Sequence, residues 1–124
     1  MPRCRFVDPS KETRLSLSGD DWIDVRWELT AGQRRAMFTT MRHDGVLEPA
    51  EYGRARALAY LLRWSFTDRS GAVAPISEGA LDFLEPEALE ELVAVIDTHI
   101  EAVSAEKKML SGATNAAAIL VSVS

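Results

Sequence analysis

Two histidines, His43 and His99, and a surplus of carboxylates are the residues in this chain with types suited to chemistry. A metal site or a general acid–base pair would be built from them. Neither histidine has a cysteine or a second histidine at ligand spacing. Asp97 and His99, two apart on a helix, point in different directions. Both histidines are therefore expected to be ordinary surface or helix-end groups. Asp20, Asp21 and Asp24 surround a turn and would form a weak cation site if they converged, but turn chemistry explains them first. Glu87, Glu90, Glu91 and Glu101 read as a solvated helix face. No GxxxxGK[ST], HExxH or GxSxG motif is present, and the glycines are too scattered to cradle phosphate. The expectation is a protein that is not an enzyme, with no catalytic residue, no metal and no cofactor.

Charge is the more informative pattern. Residues 1–69 carry 12 basic and 10 acidic groups, whereas residues 70–106 carry 9 acidic groups and none that are basic. Lys107 and Lys108 follow, and the 16 residues from Met109 to Ser124 hold no charge. An acidic amphipathic stretch followed by an uncharged, partly apolar tail suits contact with other proteins. The acidic half disfavours a role on nucleic acid. Arg34, Arg35, Arg42, Arg54, Arg56, Arg63 and Arg69 lie on or near the first two expected helices and could mimic a DNA-reading pair. Pairing with the acidic last helix, or a solvated face, is the better account of them. Cys4 is the sole cysteine, which excludes a disulfide framework and fits a reducing cytoplasm. The start lacks the apolar run of a signal peptide, and no window approaches a membrane span. A soluble, unprocessed cytoplasmic protein without membrane contact is expected.

The elements that position these residues follow from periodicity. A lead-in over 1–11 precedes a β-hairpin over 13–29. Ile23, Val25, Trp27 and Leu29 form its buried face, and Asp24, Arg26 and Glu28 its wet face. Thr30 and Gln33 have capping-box spacing and open a helix over about 31–43, with Met37, Phe38 and Met41 inward. Pro49 starts a second helix over about 49–67. Its stripe is Tyr52, Ala55, Leu58, Ala59, Leu62 and Phe66, broadened by Leu61 and Trp64. After a connector, Ser77 caps a short helix over 78–84. Pro86 starts the last helix, 86–108, whose inward stripe is Leu89, Leu92, Val93, Ile96, Ile100 and Val103. The fold expected is α+β and mainly helical: one domain over 1–108, an N-terminal hairpin packed on three or four helices, and a tail over 109–124. Trp22 falls out of the alternation, at the turn edge or exposed, while Trp27 fits the hairpin's inner face. The candidate protein-binding residues are Trp22, Trp27, Glu87, Glu90, Glu91, Asp97, Glu101 and, in the tail, Ile119, Leu120 and Val121.

The stretch from Asp21 to Arg35, DWIDVRWELTAGQRR, resembles the strand and following (L)(T/N)xGxxR segment of the tail assembly chaperones of long-tailed bacteriophages. ALAYLLRWSFTD, from Ala57 to Asp68, is similar to that family's central helix. PISEGALDFL, from Pro75 to Leu84, resembles its next connector and helix. The likeness covers about residues 13–108 and is one of pattern. It implies a non-enzymatic protein of the host cytoplasm, absent from the mature virion, that holds the tape-measure protein until tail-tube subunits displace it. Self-association in several copies is also implied. Family members commonly occur in two forms, the longer made by a programmed −1 frameshift. Glu106, Lys107 and Lys108 suit an A-rich slippery run, so 109–124 would be the short form's own ending. The alternatives are a head–tail connector or tail-completion protein of the virion, and a small DNA-binding regulator.

Overall fold

The computed structural model of the chain describes residues 4–41 and 49–111. It is an α+β fold with seven principal elements: β1 (Glu12–Ser16), β2 (Trp22–Arg26), α1 (Ala31–Met41), α2 (Pro49–Tyr60), β3 (Leu61–Trp64), α3 (Glu78–Asp82) and α4 (Pro86–Ser111). The strands form one antiparallel sheet in the order β1-β2-β3.

The β1–β2 turn closes where Leu17 N–H donates to the Asp21 carbonyl at 2.8 Å. Two consecutive residues there adopt left-handed backbone, Gly19 (φ 66°) and Asp20 (φ 64°). Glycine takes this conformation freely, and aspartate tolerates it better than most side chains. The carboxylate of Glu91 on α4 then ties the turn down. It accepts from the Ser18 backbone N–H at 3.2 Å and from the Ser18 hydroxyl at 2.9 Å.

Thr30 and Gln33 make the reciprocal pair that opens α1. The Thr30 N–H donates to Gln33 Oε1 at 2.9 Å, and the Gln33 N–H donates to Thr30 Oγ1 at 3.1 Å. Ser77 does the same work for α3 by accepting from Ala80 N–H at 3.0 Å. Gly53 lets α2 approach α4 closely, since a Cβ there would stand 3.2 Å from Val93 Cγ1.

The expected second helix over 49–67 is shorter than its spacing suggests. It stops at Tyr60, and Leu61–Trp64 form a third strand instead. Arg26 marks the transition, its Nε donating at 3.3 Å to the carbonyl of Ala59 in the last turn of α2, where helix carbonyls lack internal partners. The strand is bulged. Ile23 faces Trp64 and Asp24 faces Arg63, but Val25 faces Leu61, so Leu62 is the extra residue. A bulge puts two residues of one strand against one of the other. Leu61 and Trp64, three apart, therefore share one face, a spacing that otherwise marks a helix.

That face is the core. Ile23, Val25, Ala57, Tyr60, Leu61, Trp64, Leu81, Leu92 and Ile96 form one buried cluster drawn from β2, α2, β3, α3 and α4. Ala57 and Tyr60 hold the fully buried positions of α2, while Tyr52, Ala55, Leu58 and Ala59 are half-buried, a rotation from the expected stripe. The helices cover one side of the sheet, so the protein has two layers. Met37 is buried and Phe38 half-buried on α1, while α4 runs on to Ser111, three residues into the expected tail over 109–124; the side chain of Met41, His43 and residues 112–124 of that tail lie outside what is described. Among the described residues no helix is long and apolar enough to cross a membrane.

The bulged strand makes a sharp prediction. Leu61→Ala removes a buried core side chain and should cost about 2–4 kcal/mol of unfolding free energy. Leu62→Ala, at the half-buried bulge, should cost less than half of that. Urea denaturation of both variants measures the difference; a helix through this segment would reverse or equalise the order.

Candidate protein-binding surfaces

Strand alternation puts Glu12, Arg14, Ser16, Trp22, Asp24 and Arg63 on the sheet face turned away from the helices. Asp24, expected on a wet face, is only 5% exposed. The reason is its place in the middle strand, where the arginines of both neighbouring strands close over it. Arg14 donates from Nε to Oδ1 at 2.7 Å and from Nη2 to Oδ2 at 3.1 Å; Arg63 donates from Nε to Oδ2 at 3.0 Å. Arg63 also pairs with Glu12. Each oxygen of the buried carboxylate is thus bound to a guanidinium, with an arginine on either side.

Trp22 stands beside this clasp, with the Arg14 guanidinium 3.7 Å over its ring. It is half-buried rather than free, and forms one wall of a groove of about 540 Å³ lined by Leu62, Trp64, Val73, Ala74 and Ile76, with Arg63 and Ser65. Ser65 pins the wall in place. Its Oγ accepts from the Trp22 N–H at 2.9 Å and donates to Asp21 Oδ1 at 2.8 Å. The opposite side is held by the Trp64 indole N–H, which donates to the Ala74 carbonyl at 2.6 Å, and by the Thr67–Val73 bridge. Asp68 shapes the intervening turn by accepting from the Ser70 N–H at 2.8 Å. Val73 remains 62% exposed at the groove's rim.

Trp27 lies one residue beyond β2 and is half-buried. Its ring meets His99 edge-on, with centroids 5.2 Å apart, and Lys11 Nζ sits 4.2 Å above it. His99 is not a surface group, as expected, but buried at 7% exposure, because position 99 faces inward with Ile96 and Val103. Its Nε2 donates to the Trp27 carbonyl at 2.9 Å, and the Tyr60 ring also meets it edge-on, with centroids 6.3 Å apart. Trp27 is therefore joined to the core through His99.

The acidic residues of α4 divide into two groups. Glu91 anchors the hairpin turn, and Asp97 pairs with Arg56 at 2.7 Å. Glu87, Glu90 and Glu101 are exposed, and their carboxylates have no partner among the described residues. Arg54 pairs with Asp82 of α3 at 3.2 Å. Of the arginines set against the last helix by the sequence, Arg56 reaches it, Arg54 reaches α3 and Arg63 belongs to the sheet. Ile119, Leu120 and Val121 lie outside the described residues. Asp21 is held by Ser65 and Asp24 by the two arginines, and among the described residues no group of three or more His, Cys, Asp and Glu is placed to hold a metal.

Sequence reasoning missed Leu62, Val73 and Ile76 as groove residues. The signal was present: Leu62, Trp64 and Phe66 alternate strictly with Arg63, Ser65 and Thr67. Comparison with profiles of known protein families, with curated proteins and with solved structures found no match in any of the three.

Hydrogen bonding from Arg14, reinforced by Arg63, holds the Asp24 carboxyl below its ordinary range, against an upward push from burial. The folded pKa therefore lies below that of the unfolded chain, about 3.9. The clasp's contribution is complete well above that value and fades as pH falls through the folded one. Asp24→Asn should lower stability by about 1–3 kcal/mol at neutral pH. The gap from the native chain should narrow at about pH 3 and below. Urea denaturation at both pH values is the check, and an equal gap at each would contradict the clasp.

Proposed function

We propose that this chain is a non-enzymatic tail assembly chaperone of a long-tailed bacteriophage. In this reading it binds the tape-measure protein in the host cytoplasm, helps recruit tail-tube subunits, and is absent from the finished virion. The observation that carries the reading is the apolar groove between Trp22 and Ile76, open at the third strand. A holdase must offer its client apolar surface while staying dispersed by charge. The groove supplies the first, with an aromatic wall of the kind that anchors protein contacts. The exposed Glu87, Glu90 and Glu101 supply the second. The sequence resemblance supplies the particular client.

A permanent connector of the virion would use the same surfaces in ring contacts and is the alternative. The DNA-binding reading is weakened, because Arg54, Arg56 and Arg63 are each engaged by a carboxylate. Phosphate contacts would have to displace those partners.

Co-expression with the tape-measure protein of a long-tailed bacteriophage tests the proposal. The client should stay soluble and co-purify with the native chain. Val73→Asp, at an exposed position of the groove, should reduce recovered client by about tenfold without changing the melting temperature, because a carboxylate placed against the apolar face of the client would be desolvated without a partner. A client that precipitates equally with and without the chain would refute the chaperone reading.

A further inference from the structure

A second concavity lies on the far side of the molecule, between α1, α2 and the C-terminal half of α4. It encloses about 520 Å³. Its buried lining includes Met37, Tyr60 and Val103, with half-buried Tyr52 and Ile100 beside them. Among the described residues its lining carries the cations Arg34, Arg56, Lys107 and Lys108 and one carboxylate, Glu28. In a chain of net charge −5 this is a local inversion of sign.

The cations are not equally committed. Lys107 pairs with Glu28 at 2.7 Å, and Arg56 pairs with Asp97 while lying 4.6 Å over the Tyr52 ring. Arg56 Nε is buried without a hydrogen-bond partner. Arg34 and Lys108 are exposed and make no ion pair among the described residues. The cleft thus combines an apolar, aromatic floor with positive charge at its margin.

We propose that this cleft is a docking site for an acidic amphipathic helix of a partner protein. The apolar face of the helix packs on half-buried Leu29, Tyr52 and Ile100, above buried Met37, Tyr60 and Val103, and its flanking carboxylates meet Arg34 and Lys108. Helix-in-groove recognition needs apolar anchors at i, i+3, i+4 and i+7, and complementary charge sets which helices are accepted. Like-charged helices are repelled by the same margin. The inference stands on the cleft alone and does not depend on the chaperone reading, whose surface is the groove at Trp22.

The test uses the full chain and two synthetic fluorescent peptides. One carries Leu at i, i+3, i+4 and i+7 with Glu at the flanking positions; the other has Lys in place of Glu. Anisotropy titration at low salt should show binding of the acidic peptide only, weakening as salt is raised. Arg34→Glu combined with Lys108→Glu changes two exposed positions and should weaken binding at least about tenfold. Val73→Asp should leave it unchanged. No binding of the acidic peptide, equal binding of both peptides, or loss on Val73→Asp with retention in the double variant would each overturn the proposal.

Discussion

The pairing of Leu61–Trp64 with Trp22–Arg26 is the constraint on which the rest of the molecule depends. It ends α2, puts Leu61 and Trp64 beneath the helices, and brings Arg63 over Asp24. It also brings Ser65 to the backbone of Trp22 and so forms one side of the groove. Without this pairing β1 and β2 would be a lone hairpin, which is marginal in water. The bulge at Leu62 reconciles the strand with the chain's own apolar spacing. A regular strand would turn either Leu61 or Trp64 away from the core.

The Asp24 clasp is best understood through the registers it forbids. A carboxylate shared by two arginines that are more than half exposed yields modest net stability, because both partners keep much of their hydration. A one-residue slip of β2, however, would turn Ile23 and Val25 outward and Asp24 into the core. An unpaired buried carboxylate is far costlier than the clasp is favourable. Asp24 therefore contributes mainly by making the correct register the only tolerable one, and the same register fixes where Trp22 and Arg63 stand at the groove.

Much of this architecture was legible in the sequence. The hairpin, the Thr30–Gln33 capping box and the α+β class followed from local patterns whose physics is local. The third strand did not. Leu58, Leu61, Leu62 and Phe66 fit helical spacing, and only the tertiary pairing decides between that and the alternation of Leu62 to Thr67. Asp24 and His99 were misplaced for a related reason. Polarity argues for exposure, but burial of a polar group depends on partners distant in sequence, here Arg63 and the Trp27 carbonyl. Of the α4 carboxylates named as binding candidates, Glu91 and Asp97 have partners within the chain, Ser18 and Arg56. Sequence shows that a residue is charged, not whether its partner lies within the same chain.

The groove at the third strand is the proposed client surface. Amide hydrogen exchange, comparing the full chain alone with the chain mixed with the proposed client, a tape-measure protein, addresses this most directly. The account predicts added protection at Trp22, Leu62–Ser65 and Val73–Ile76. Protection confined to the exposed α4 face around Glu87, Glu90 and Glu101, with the groove unchanged, would contradict it.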